Sequence, residues 1–262
     1  MRDILSDLDL GEDKMSDPVH QAQTGLQKPL PKRFYTTAAA MPAAGTGFVV
    51  ALDGKPVRTP SREELAVPQR ELAEAVAAEW AAQQEVIDPA LMPLTRMVNT
   101  AIDGVSTARE AVFEEILRFG GSDLLCYRAD APESLVRRES ELWDPYLDWA
   151  AQQGAQLILA EGVMHVEQPP EAIRALATLL RRNGSDLQLT ALHAITTLTG
   201  SLVLALALAE GASSSGDAWT AAHADEDFNI SQWGEDHEAA ERRAKRRLEF
   251  EAAVKIIDAH RA

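Results

Sequence analysis

Acidic and histidine side chains concentrate near the C-terminal end of this 262-residue sequence, in two short groups. The groups consist of His223, Asp225, Glu226 and Asp227, and of Glu235, Asp236, His237 and Glu238. Carboxylates and imidazoles can bind a divalent cation, but the spacing matches neither an EF-hand loop nor the Glu-x-x-His pairs of di-iron bundles. Three interpretations stay open: a metal site, an acidic recognition surface, or a solvated face that favours a helix N-terminus.

Large apolar side chains lie between these carboxylates, namely Trp219, Phe228, Ile230 and Trp233. Aromatic residues are typical anchors of protein–protein interfaces, and they also line the edges of hydrophobic cores. The sequence does not separate these two roles.

The sequence lacks the motifs that are typical of nucleotide binding, zinc-dependent hydrolysis, serine nucleophiles and dithiol redox chemistry. Gly45 and Gly47 form an isolated GxG without the rest of a dinucleotide fingerprint, so we interpret them as turn residues. Cys126 is the sole cysteine, and we predict that it is buried rather than nucleophilic. The sequence therefore predicts a protein that is not an enzyme and that uses no cofactor or metal.

The net charge of −16 disfavours binding to nucleic acid or to an anionic membrane surface. The uncharged run at 189–209 is long enough to span a bilayer. Its interior contains His193 and Gly200, and no cluster of Lys or Arg flanks it. We therefore predict a buried core helix, broken or closely packed near Gly200.

Short β-forming segments precede a series of helical patterns. Asp53-Gly54, between FVVAL and KPVRT, predicts a type I′ hairpin turn. We expect a mobile acidic tail at 1–30, a small antiparallel β domain at 31–66, and a larger, mainly helical domain at 67–262 with a possible short strand near 155–159. The predicted fold class is therefore α+β.

Helix boundaries and buried faces follow from caps and spacing. Ser61 and Glu64 are spaced as a capping box before a helix predicted to extend to about residue 84. The last helix carries apolar residues at every fourth position, which predicts its buried side. This stripe consists of Ala240, Ala244, Leu248, Ala252 and Ile256.

Several sequence blocks, in this order and spacing, resemble the ATP12 family. They include KRFY at 32–35, LDGKPVRTP at 52–60, LAVPQRELAEAVAAEWAAQ at 65–83, MPLTRMVNTAIDGV at 92–105, DLLCYRA at 123–129 and WGEDHEA at 233–239. The resemblance covers nearly all of the chain after the first 30 residues, and the blocks together are more specific than any one of them.

The resemblance implies a chaperone that binds the free α subunit of F1-ATPase and yields it to the β subunit, without catalysis or bound nucleotide. It carries the family's important acidic position to Glu235, with Asp236 as its neighbour. We expect Glu235 to pair with a basic group of the client while Trp233 or Phe228 covers apolar surface. An interaction module for another client, and a metal-dependent enzyme, remain the alternatives.

The first residues are acidic, whereas a mitochondrial import sequence is rich in Arg and poor in acids. This composition predicts a bacterial, cytoplasmic member of the family.

Overall fold

The computed structural model describes residues 30–161 and 166–261, in two compact units that divide between Asp103 and Gly104. The predicted tail at 1–30 lies outside the described residues, apart from Leu30. The structure confirms the α+β class, because an antiparallel sheet precedes a largely helical second unit.

Within residues 30–103, four strands form an antiparallel sheet. These are β1 (Ala38–Pro42), β2 (Phe48–Leu52), β3 (Lys55–Pro56) and β4 (Ala66–Val67). Strand β2 is central, with β1 on one side and both β3 and β4 on the other. Asp53 and Gly54 connect β2 to β3 with φ values of 48° and 77°, which confirms the predicted turn.

Helix α1 (Arg70–Ala82) packs against β1 and β2 through the predicted row of Leu72, Val76 and Trp80, all buried. The prediction of a capping box at Ser61 and Glu64 was wrong, because the chain there continues into β4 before the helix begins at Arg70.

Helix α2 (Pro93–Thr100) is the last helix within this unit, and a π-helical turn (Ala101–Val105) follows it across the boundary in the chain. Thr59 Oγ1 donates to Asp103 Oδ1 at 2.6 Å. The compact unit around the sheet therefore extends to residue 103, whereas the β domain was expected to end at residue 66.

The second unit is mainly helical. Its elements are α3 (Ser106–Gly120), β5 (Tyr127–Arg128), α4 (Glu133–Gln152), β6 (Ala160–Glu161), α5 (Pro170–Arg182), α6 (Asp186–Thr199), α7 (Leu202–Ala209), α8 (Ser215–Ala222), α9 (Ala224–Trp233) and α10 (His237–Arg261). Strand β6 pairs in parallel with β5 and directly follows the segment expected to be a strand, 155–159.

Helix α7 is the centre of this unit, since all of its residues are buried. It packs against α3, α4, α6 and α10. Helix α6 ends at Gly200, which adopts the left-handed conformation at φ 72°. The uncharged run is therefore two buried helices that break at Gly200, as predicted, and no helix of the described residues combines the length and apolarity of a membrane span.

Candidate client-binding site

The corner between α9 and α10 encloses an open cleft of about 390 Å³. Its walls are Glu226, Asn229, Ile230 and Trp233 from α9, Gly234, Glu235 and Asp236 from the connection, and Ala239, Ala240 and Arg243 from α10. The connection is three residues long, so both helices contribute side chains to the same space.

Local backbone chemistry forms this corner. Gly234 ends α9 at φ 85° and ψ 171°, a conformation that favours glycine, and its N–H donates to the Ile230 carbonyl at 2.9 Å. Asp236 Oδ1 then accepts the N–H of Ala239 at 2.8 Å, which caps the start of α10. The position of Glu235 between these two residues therefore follows from a helix stop and a helix start.

Trp233 is 88% exposed at the end of α9. Its apolar neighbours in the cleft wall are Ile230, Ala239 and Ala240. Covering an exposed indole removes apolar surface from water, which makes the free energy of binding more favourable. Trp is also among the residues enriched at interface hot spots. The apolar side of the cleft is therefore suited to protein contact.

The charges around the cleft divide into a paired network and an unpaired carboxylate. Arg243 Nη2 lies 2.6 Å from Asp227 Oδ1, and Arg243 Nε lies 4.0 Å from Glu226 Oε2. Arg138 Nη2 from α4 lies 3.5 Å from the other oxygen of Asp227. Glu235 forms no hydrogen bond or ion pair with any part of the chain that the structure describes, so its charge is available to a basic partner group.

His223 is a structural residue. Its ring stacks on Trp219 with 4.0 Å between centroids, and its Nδ1 donates to the Trp219 carbonyl at 2.9 Å. Burial lowers the pKa of His223, which keeps the imidazole neutral. Among residues 30–161 and 166–261, no three His, Cys, Asp and Glu side chains converge as a metal site.

Cys126 is buried, as predicted, and burial raises the pKa of its thiol to about 12. The thiol is therefore protonated at neutral pH, which does not suit a nucleophile.

The structure brings three of the four candidate residues together. Trp233, Glu235 and Asp236 line the cleft, whereas Phe228 is half-buried and is not part of the wall. Sequence reasoning did not select Asn229 or Arg243 as part of the site. Asn229 lies four residues before Trp233, a spacing that puts both residues on one helix face. This spacing could have identified Asn229 as a site residue from the sequence.

The apolar stripe of α10 is only partly buried. Ala252 and Ile256 are buried as predicted, but Ala244 is exposed and Leu248 is 57% exposed. Near Ala244 and Leu248, the side of α10 that packs inward instead carries Arg247. Its guanidinium lies 5.0 Å from the ring centre of Trp219. An exposed apolar row therefore runs from the cleft along α10.

An α+β fold with a cleft whose walls are partly polar and partly apolar fits a protein that acts by binding another protein. The model of the family described as ATP12 chaperone protein matches residues 32–151. Similarity to solved structures extends beyond these residues and covers most of the chain.

A protein of Agrobacterium tumefaciens assigned as a chaperone is 51% identical over 99% of this chain and 97% of its own, with a TM-score of 0.87. Atp12 from Paracoccus denitrificans is 40% identical over 87% of this chain and 98% of its own, with a TM-score of 0.78. A point mutant of the Paracoccus protein is equally similar, at 40% identity and a TM-score of 0.78. The chain belongs to the ATP12 chaperone family.

Proposed function

We propose that this ATP12-family chaperone binds the free α subunit of F1-ATPase, prevents its self-association, and yields it to the β subunit as the F1 head assembles. Membership of the family supports a chaperone role in F1-ATPase assembly. The observation that supports the site best is the unpaired carboxylate of Glu235 next to the 88% exposed Trp233. An exposed aromatic ring beside a carboxylate suits a client surface that is both apolar and basic.

Each side chain has a distinct role in the proposal. Trp233 covers apolar client surface, and full burial of such a ring contributes roughly 3 kcal/mol before the costs of association. Glu235 pairs with a basic group of the client, and Asp236 adds negative charge while it caps α10. Phe228 is a flanking contact on α9 outside the cleft.

The mechanism requires a client that leaves again. A small number of anchors around one cleft gives modest affinity, so the β subunit can displace the chaperone by covering the same client surface. We infer that the protein works by binding alone, without a cofactor, in the bacterial cytoplasm.

The direct test is size-exclusion chromatography of the chain with separately expressed α and β subunits. We expect a stable complex with α alone that dissolves when β is added. Absence of a complex with α would contradict the proposal.

Glu235→Gln tests the site itself. We expect it to weaken α-subunit binding by roughly tenfold, because a neutral amide forms a weaker bond to a cation. Glu238→Gln is the matched control, since Glu238 lies outside the cleft wall and pairs with Arg242 on α10. Equal binding by both variants and the unchanged protein would exclude Glu235 from the interface.

A further inference from the structure

Strand β1 is an edge of the sheet, and its hydrogen bonds to β2 can be assigned from its ends. The Asp53 N–H donates to the Thr37 carbonyl at 3.0 Å, just before β1. Hydrogen-bonded pairs recur at every second residue of an antiparallel ladder. Ala39 and Met41 therefore bond to β2, whereas Ala38 and Ala40 belong to the alternate, non-bonded pairs.

The partner of Ala40 confirms this phase. Val50 lies opposite Ala40, and its own backbone groups bond to the other side of β2. Its N–H donates to Leu65 at 3.2 Å, and its carbonyl accepts from Val57 at 2.8 Å. The N–H and C=O of Ala40 therefore point out of the sheet, where no described residue bonds to them. Ala38 has the same phase.

The side chains of β1 leave this edge open. The strand reads AAAMP, so it contains no charged residue, and Met41 is 40% exposed. Natural sheets usually protect exposed edges with charges, bulges or proline. Here only Pro42 does so, at the end of the strand, while the alanines leave room for another backbone to approach.

We propose that the outer edge of β1 binds an extended, uncharged segment of the unassembled α subunit as an additional strand. Unpaired donors and acceptors at every second residue match an extended chain, whereas a helix has already paired its backbone groups. Partly folded chains expose unpaired strand edges and aggregate through them, and the proposed client is a subunit that the chaperone protects from self-association. The inference rests on the proposed client but concerns a different surface from the cleft.

Backbone amide exchange of the chaperone, measured by NMR alone and with the α subunit, tests the inference. We expect the amides of Ala38 and Ala40 to exchange fast in the free protein and at least tenfold more slowly in the complex, and those of Ala39 and Met41 to exchange slowly in both. Fast exchange at Ala40 in a complex that does form overturns the edge site and leaves the proposed client intact. Slow exchange at Ala40 in the free protein also overturns it, because a second copy or this chain's own segment then occupies the edge.

Ala40→Pro removes the outward N–H without removing a bond to β2, and proline is tolerated at sheet edges. Ala40→Val is the matched control, because it keeps the N–H. We expect Ala40→Pro to weaken α-subunit binding several-fold at unchanged thermal stability, and Ala40→Val to bind like the parent. Equal binding of the α subunit by the two variants overturns the inference. If the unchanged protein does not bind the α subunit at all, the proposed function is overturned as well.

Discussion

Two corners of the second unit have the same local design and opposite surroundings. In both, a glycine with positive φ ends one helix and a polar side chain caps the next: Gly200 and Ser201 between α6 and α7, Gly234 and Asp236 between α9 and α10. Ser201 is fully buried, and its Oγ accepts the Leu204 N–H at 3.0 Å. The α9–α10 corner instead exposes Trp233 and an unpaired carboxylate.

The turn chemistry therefore forms a corner, whereas the residues around it determine whether the corner stabilises the fold or faces a partner. At the first corner, Asp123 satisfies the start of α7, since its Oδ2 accepts the Val203 N–H at 3.0 Å. A corner whose first helical N–H groups are paired with buried acceptors in this way stabilises the fold. The α9–α10 corner leaves an apolar ring and a charge in water, which contributes little to stability and suits a partner.

The largest expected effect is at Asp123. Asp123→Ala removes the buried acceptor of the Val203 N–H and of the Leu125 N–H, which lies 3.1 Å away. We expect a loss of about 2–4 kcal/mol in the free energy of unfolding, measured by urea denaturation. Asp236→Ala is the matched change at the exposed corner, where we expect about 1 kcal/mol. Equal losses would remove the distinction between the corners.

The pH dependence of stability sharpens the same contrast. Burial raises the pKa of Asp123 from 3.8 to about 6. The folded state therefore holds this proton more tightly than the unfolded state, so acidification from pH 7 to 4 stabilises the fold through this group, on the order of 2–3 kcal/mol. This contribution is lost as the pH rises through 6. Urea denaturation should show the parent gaining stability over Asp123→Ala as the pH falls, and a constant difference would contradict the shift.

The glycines provide the next comparison. Gly200→Ala places a Cβ at positive φ in the core, 3.6 Å from the Leu124 Cβ, and we expect a loss of about 1–2 kcal/mol in thermal denaturation. At Gly234 nothing lies within 4 Å of an added Cβ, so the substitution strains only the backbone, and this exposed corner has room to relieve the strain by a backbone shift. We expect Gly234→Ala to lose less stability and to weaken client binding. The reverse order of stabilities would count against this account.

The smallest effect on stability is expected at Trp233. Because the ring is exposed, Trp233→Ala should change the free energy of unfolding by less than about 0.5 kcal/mol, while α-subunit binding falls at least tenfold. Trp233→Phe, which keeps an aromatic ring, should retain part of the binding. A large loss of stability in calorimetry would show that the ring belongs to the core.

Local signals predicted much of the fold. The Asp53-Gly54 turn requires positive φ at two positions, and few alternatives satisfy it. The uncharged run contains Gly200 near its middle, and a glycine that can adopt positive φ predicts a break between two helices at that position. Glu235 came from a resemblance to a family, and its position in a cleft depends on a corner that Gly234 and Asp236 form.

Tertiary packing decided what the sequence did not predict. Strand β1 consists largely of alanine, a residue depleted in strands, so only pairing with β2 reveals it. Ala244 and Leu248 have the spacing of a buried face, but Arg247 packs its guanidinium over Trp219 and occupies the inward side. Periodicity shows that a face is apolar, and it does not show which neighbour covers it.

We propose that the α9–α10 corner serves binding rather than folding. Its most direct test is the Kd for the α subunit, measured by isothermal titration for the parent, Glu235→Gln and Glu238→Gln, with urea denaturation of each. We predict that Glu235→Gln binds roughly tenfold more weakly at unchanged stability, and that Glu238→Gln binds like the parent. Unchanged binding by Glu235→Gln, or a loss of binding that follows a loss of stability, would contradict it.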